Sequence, residues 1–167
     1  MRVYIPATFE LLGRLHDTGM LEVRSGWGFA VTPALRDFYT AGDEDEMGLV
    51  AFDDAARASI RMLSGGTEVF PQRRVVVTVE VPESQVSLMH DMGESVVRIS
   101  PAQVAIAQVV AIHVDIAENE PATAAAIEVV DAADLGDEDA ELTVGDALDN
   151  LMAWYDPVEL PILVALF

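Results

Sequence analysis

The chain has 167 residues, 51% of them apolar, a formal charge of −20 and no cysteine, and its nine basic side chains are all arginine. Without lysine it has neither the phosphate-clamping lysine of a P-loop nor a Schiff-base nucleophile; without cysteine it has no disulfide, no thiolate nucleophile and no thiolate-held zinc or iron–sulfur centre. The last arginine is Arg98, so residues 99–167 carry fourteen acids with no fixed positive side chain to oppose them, and a surface of that sign repels phosphate backbones, so direct nucleic-acid binding is not expected.

The length fits one domain spanning residues 1–167, able to bury roughly 70% of the surface its unfolded form exposes. The N-terminal segment is too charged for a secretory signal, and the longest charge-free run, Ile99 to Ile112, is broken by Pro101, Gln103 and Gln108. No membrane span is expected, and a soluble, cytoplasmic protein follows. Arginine in place of lysine, with abundant Ala, Val, Asp and Gly, is the mark that a GC-rich genome leaves on any protein, because lysine codons are rich in adenine.

Arg2 to Ile5 predicts a strand broken at Pro6, and Thr8 then caps a helix whose Phe9, Leu12 and Leu15 share a face until Gly19. Gly26 to Thr32 predicts a second strand, and Thr32-Pro33 supplies an N-cap with proline at the first helical position for a short helix to about Thr40. The acidic run Asp43 to Glu46 precedes the clearest amphipathic helix, with Leu49, Phe52, Ala56, Ser59, Ile60 and Leu63 at helical spacing up to Ser64-Gly65-Gly66. Acids suit the positive end of that helix, and Asp53 and Arg57, four apart, are placed to pair.

Arg73 to Val81 predicts a valine-rich strand stopped by Pro82, Ser95 to Ser100 one stopped by Pro101, and Val109 to Ile116 another. An alanine-rich helix is expected from Pro121 to about Asp134, capped by Asn119 or Glu120, and then an acidic loop through Asp137, Glu138, Asp139 and Glu141. Residues 143–155 suit a helix or a strand, with a strand favoured at 150–155. Asp156, Pro157 and Glu159 carry the pattern of a capping box for a last helix, with Pro161 in its second turn. The order implies an α+β fold: a mixed sheet of about five to six strands with helices mainly on one face.

No complete catalytic motif is present. Gly26-Trp27-Gly28 opens like a dinucleotide fingerprint, but Val31 holds the third glycine's place and the segment enters a strand. Gly93-Glu94-Ser95 opens like a nucleophile elbow, but Val97 replaces its closing glycine. Asp137, Asp139 and Glu141 start like a calcium loop whose turn glycine is Leu142 and whose twelfth position is Leu148. No cofactor and no metal site is expected, and His16 and His90 have no partner at ligand spacing.

Strand alternation supplies one constellation. Arg74, Thr78 and Glu80 share a face opposite Val75, Val77 and Val79; His113 and Asp115 share one opposite Val110, Ile112 and Val114; Arg2 and Tyr4 alternate with Val3 and Ile5, and Arg98 with Val97 and Ile99. One sheet face could thus gather Arg2, Tyr4, Arg74, Glu80 and Arg98 as ligand-binding groups beside His113 and Asp115 as a proton-moving pair. The simpler alternative is a solvated sheet face with weak cross-strand pairs. Trp27, Phe29, Trp154 and Tyr155 read as core anchors, and Leu160 to Phe167 as core or as a homodimer contact.

The segments MRVYIPAT at the start, FAVTPALR at 29–36, DAARASIR at 54–61, RRVVV at 73–77, HVD at 113–115 and WY at 154–155 resemble a family of small uncharacterised proteins, a domain of unknown function, from GC-rich Gram-positive bacteria. The resemblance implies a single intracellular bacterial domain and carries no activity. The expected function is therefore that of an acidic binding or interaction protein without catalysis, its partner another protein or a second copy of itself. The alternatives are a small enzyme or small-anion sensor built on the arginine, histidine and aspartate face, and a protein mimic of DNA's charge.

Overall fold

The computed structural model describes residues 1–66 and 71–166. Among the described residues, nine strands form two sheets: β1 (Arg2–Ala7), β2 (Met20–Glu22), β3 (Trp27–Phe29), β4 (Val75–Glu80), β5 (Val86–Leu88), β6 (Val96–Ile99), β7 (Gln103–Ala105), β8 (Val109–Val114) and β9 (Ala153–Tyr155). Six helices accompany them: α1 (Phe9–Thr18), α2 (Pro33–Phe38), α3 (Glu44–Gly65), α4 (Glu120–Asp134), α5 (Glu138–Leu148) and α6 (Leu160–Ala165). The main sheet runs β5-β6-β3-β1-β4-β8-β9, and β2 pairs with β7 in a small second sheet.

Three parts of the expected architecture change. There are nine strands, in a seven-stranded and a two-stranded sheet, rather than five to six; β2, β5 and β7 are each three residues long, too short to show alternation in sequence. Every pairing is antiparallel, so the sheet is not mixed. Helices cover both faces of the main sheet. On one, Val3, Ile5, Val75, Val77, Val97, Ile112 and Val114 pack with α1 and α6 through Leu11, Leu12, Leu15, Leu160 and Leu163. On the other, Tyr4, Phe29 and Val76 meet α3 through Phe52, Ala55 and Ala56.

Local signals hold where a side chain caps an end. Thr8 Oγ1 accepts from the Leu11 amide, Thr32 Oγ1 from that of Leu35, and the α1 chain reverses at Gly19, whose φ is +75°. Asp43 and Glu46 close a reciprocal box at the start of α3. Pro6 lies inside β1, opposite Val76, instead of ending it; β3 pairs with β1 only at Tyr4, so at Pro6 the ladder is one-sided and the missing amide is tolerated. The expected acidic loop is the start of α5, because Asp137 accepts from the Ala140 amide as its N-cap and the acids that follow fill the first turn.

Two polar devices hold α3 in place. Ser59, fully buried, donates its hydroxyl to the Ala7 carbonyl at 2.9 Å and accepts from the Val75 amide at 3.1 Å, fastening the helix to β1 and the start of β4. Arg57 does not pair with Asp53; it spans Asp134 on α4 at 3.0 Å and Glu141 on α5 at 2.7 Å, while Arg61 takes the other oxygen of Asp134 at 2.7 Å. Asp134 is held below the usual carboxylate range by Arg61 and then Arg57, and Glu141 by Arg57. Carboxylates so depressed contribute stability in full above their ordinary values and lose it as the pH falls through the lowered ones. Urea midpoints taken at neutral pH and below pH 4 are expected to show this acid-sensitive increment, about 1 kcal/mol or less per pair because the carboxylates are part-exposed. Arg57→Ala should remove most of it; an unchanged acid slope would show the network adds nothing.

Candidate functional site

The register places Arg2 opposite Glu80, Tyr4 opposite Thr78, Thr78 opposite Ala111, Val76 opposite His113, and His113 opposite Trp154. The face predicted from alternation therefore exists, and α3 crosses it over β3, β1 and β4. Its two ends have different fates.

At the far end Arg74 and Asp115 close on each other. Arg74 Nη2 lies 2.6 Å from Asp115 Oδ1, with the two side chains 1% and 0% exposed. Asp115 also accepts from the Arg74 amide at 2.8 Å, Asn119 Nδ2 at 3.1 Å and Thr123 Oγ1 at 2.9 Å. Arg74 Nη2 donates again to the Asn150 carbonyl, and Asn119 Nδ2 to that of Leu151. Buried charges need this degree of satisfaction. The result ties β4, β8, the start of α4 and the turn before β9 together, and leaves Asp115 no capacity for chemistry. No hydrogen bond joins it to His113.

At the near end the face is open. Arg2 Nε donates to Glu80 Oε1 at 3.0 Å, both side chains about half exposed. From there a groove of about 640 Å³ runs towards β5 past Val31, Pro33, Arg36, Glu83 and Val86, and an arm of about 470 Å³ runs towards β9 past Phe52, Thr78, Val110, His113 and Trp154. Both share Arg2, Tyr4, Glu44, Asp45 and Gly48. Gly48 lets α3 ride low over the sheet, since a Cβ there would sit 3.3 Å from Tyr4 Oη. Val110 reaches the groove because β8 bulges beside it: Thr78 faces Ala111 and Val79 faces Val109, leaving Val110 as the extra residue, 37% exposed rather than on the core face.

The floor is aromatic. Tyr4 and Phe52 pack edge to face at 5.8 Å, and Phe52 and His113 at 4.8 Å. Burial pushes the Tyr4 phenol up; Arg2 opposes this and Asp45 and Glu80 add to it. Burial lowers the His113 imidazole, partly offset by the Val76 backbone, so the ring is neutral at pH 7. His113 Nδ1 and Thr78 Oγ1 are buried without a hydrogen bond of good geometry. Arg36 is matched by Glu44 at 2.6 Å.

Of the residues expected to form a site, Arg2, Tyr4 and His113 line this groove, with Glu80 beside Arg2. Arg74 and Asp115 are sealed below, and Arg98 stands apart on β6, its guanidinium 5.7 Å from the Trp27 ring. Gly48, Phe52, Val110 and Trp154 went unrecognised in sequence. Trp154, expected in the core, is 59% exposed. The helical spacing of Leu49 and Phe52 with a glycine at the preceding position was the available signal. Leu160 and Leu163 are core, while Ile162 and Leu166 face outward. Among the described residues, no three His, Asp or Glu side chains are grouped to hold a metal ion, and no helix is long and apolar enough to cross a membrane.

An antiparallel sheet with helices on both faces and an acidic, aromatic groove under α3 thus defines the molecule. The match to the model described as "Family of unknown function (DUF6912)" spans residues 1–164, and the chain belongs to that family. No curated protein and no solved structure matches it.

Proposed function

We propose that residues 1–167 act as a single domain, a binding protein without catalytic activity whose recognition site is the groove between the N-terminal half of α3 and the sheet. The observation that supports this reading most is the division of the polar face. Asp115 is committed to Arg74, which leaves the groove with an aromatic floor and a neutral histidine that lacks the hydrogen-bonded carboxylate by which a triad-type pair orients its imidazole. Concave, part-apolar walls with a few convergent polar groups are what ligand recognition uses. The lysine-free composition supports an origin in a GC-rich genome, the resemblance favours a Gram-positive bacterium, and the lack of a membrane-spanning helix among the described residues favours a cytoplasmic location.

A thermal-shift panel of small cations, anions and neutral heteroaromatic compounds tests the reading. At a hundredfold excess over its Kd a groove ligand is expected to raise Tm by about 5–10 °C. Trp154→Ala, which removes an exposed wall of the arm, should abolish that shift with little change in the ligand-free Tm. A panel without any shift, or shifts that persist in Trp154→Ala, would overturn the groove as the binding site.

A further inference from the structure

We infer that the arm of the groove running from Arg2 to Trp154 binds a primary ammonium group carried on an apolar stem; this rests on the groove being a binding site. The first ground is charge. Arg36 is matched by Glu44, and Arg2 shares Glu80 with the Met1 amino group, which lies 3.6 Å from that carboxylate and donates to the Val81 carbonyl at 2.7 Å. Asp45 is the carboxylate at the junction of the two arms left with neither an ion pair nor a hydrogen bond, and it is near enough to the Tyr4 hydroxyl to act on its ionisation. An anion entering the arm would meet Glu44 and Asp45, with Arg2 the cation among the lining residues and already engaged by Glu80, in a chain of net charge −20.

The second ground is independent of the acids. Thr78 lines the arm, is only 4% exposed, and its Oγ1 has no hydrogen-bond partner. A buried hydroxyl left in this state costs free energy that a donor would recover. One strand over, His113 adds a neutral ring, which keeps one nitrogen as an acceptor. An ammonium carries three donors and no acceptor, so it suits a hydroxyl, an imidazole and a carboxylate together. A phosphate or carboxylate could accept from the hydroxyl and from the imidazole N–H but would be repelled by Asp45.

The third ground is the wall. Tyr4, Phe52, His113 and Trp154 line the arm, with Leu49 and Val110 completing it. Tyr4 and His113 each stand nearly perpendicular to Phe52, at 83° and 77°. Aromatic walls attract a cation and pack against its alkyl stem. The ammonium's source is either a free alkylamine or a lysine side chain of a partner; this chain has no lysine of its own.

The test is calorimetric titration of the full chain at low salt with n-hexylammonium, with a short peptide holding one central lysine, and with hexanoate as the anionic counterpart. Hexylammonium should bind and hexanoate should not, and added salt should weaken the binding. Asp45→Asn and Thr78→Val are each expected to weaken binding at least tenfold. Thr78→Val should at the same time raise the ligand-free Tm, because it removes an unsatisfied buried hydroxyl, so its loss of binding cannot be attributed to unfolding. A peptide that binds more tightly than hexylammonium assigns the ammonium to a protein partner, and the reverse assigns it to a free amine. Hexylammonium binding unchanged in both variants would overturn the inference. Selective binding of an anion or a neutral compound that is lost in Trp154→Ala would overturn the ammonium while leaving the groove as the site. Failure of every compound would overturn both.

Discussion

Asp115→Ala is expected to cost about 3–5 kcal/mol, a large part of the roughly 5–15 kcal/mol that holds a domain of this kind together. The substitution leaves the Arg74 guanidinium charged and buried, and withdraws the acceptor of the Arg74 amide, Asn119 and Thr123. Unfolding in urea followed by circular dichroism measures the loss. Replacing both charges, Arg74→Met with Asp115→Leu, removes the uncompensated charge and should recover part of it. It should not recover all, because the Arg74 amide and Thr123 still lack their acceptor. A single-substitution cost below about 1 kcal/mol would place the pair among ordinary surface bridges and reopen Asp115 as a functional group.

Ser59→Ala carries the second large effect. One hydroxyl serves two buried backbone groups, the Ala7 carbonyl and the Val75 amide, and each orphaned group costs about 1–3 kcal/mol. The volume change is small, so the loss reports hydrogen bonding and not a cavity. Amide exchange locates it: Val75 should exchange faster in the variant than in the parent, relative to the rest of β4. Uniform acceleration across the sheet would mean that the hydroxyl acts on global stability alone. Retained protection at Val75 with no loss of stability would show that the bridge is dispensable.

The groove depends on how α3 is held over the sheet. Ser59 fastens α3 near the closed end of the sheet face, and Gly48, further towards its N-terminus, brings the helix near the Tyr4 hydroxyl at the open end. A helix anchored at one place and kept low at another leaves a channel beside its first turns, and that channel is where Asp45, Tyr4 and Thr78 meet.

Much of this was legible in the residues because the interactions are local. Thr8, Thr32, Asp43 and Asp156 announced helix starts through side chains that reach amides two or three residues ahead. Alternation along 73–81 and 109–116 assigned Arg74, Thr78 and Glu80 to one face and His113 and Asp115 to theirs, and the register agrees. Strands of three residues left no periodic trace, and the acids at 137–141 suited a solvated loop as well as a helix start.

Composition determined by itself that no thiol or lysine chemistry is available and that residues 99–167 carry acids with no lysine or arginine to oppose them, since those are properties of which atoms are present. Local pattern determined the caps and the face each strand residue takes, since both depend on neighbours within a few positions. Only the tertiary structure decided that Arg74 and Asp115 neutralise each other, that Arg98 stands away from Arg2, and that Phe52 covers His113. Those outcomes depend on strand order and on where α3 crosses the sheet. Both are set by the summed packing of residues far apart in the chain, which no short window of sequence contains.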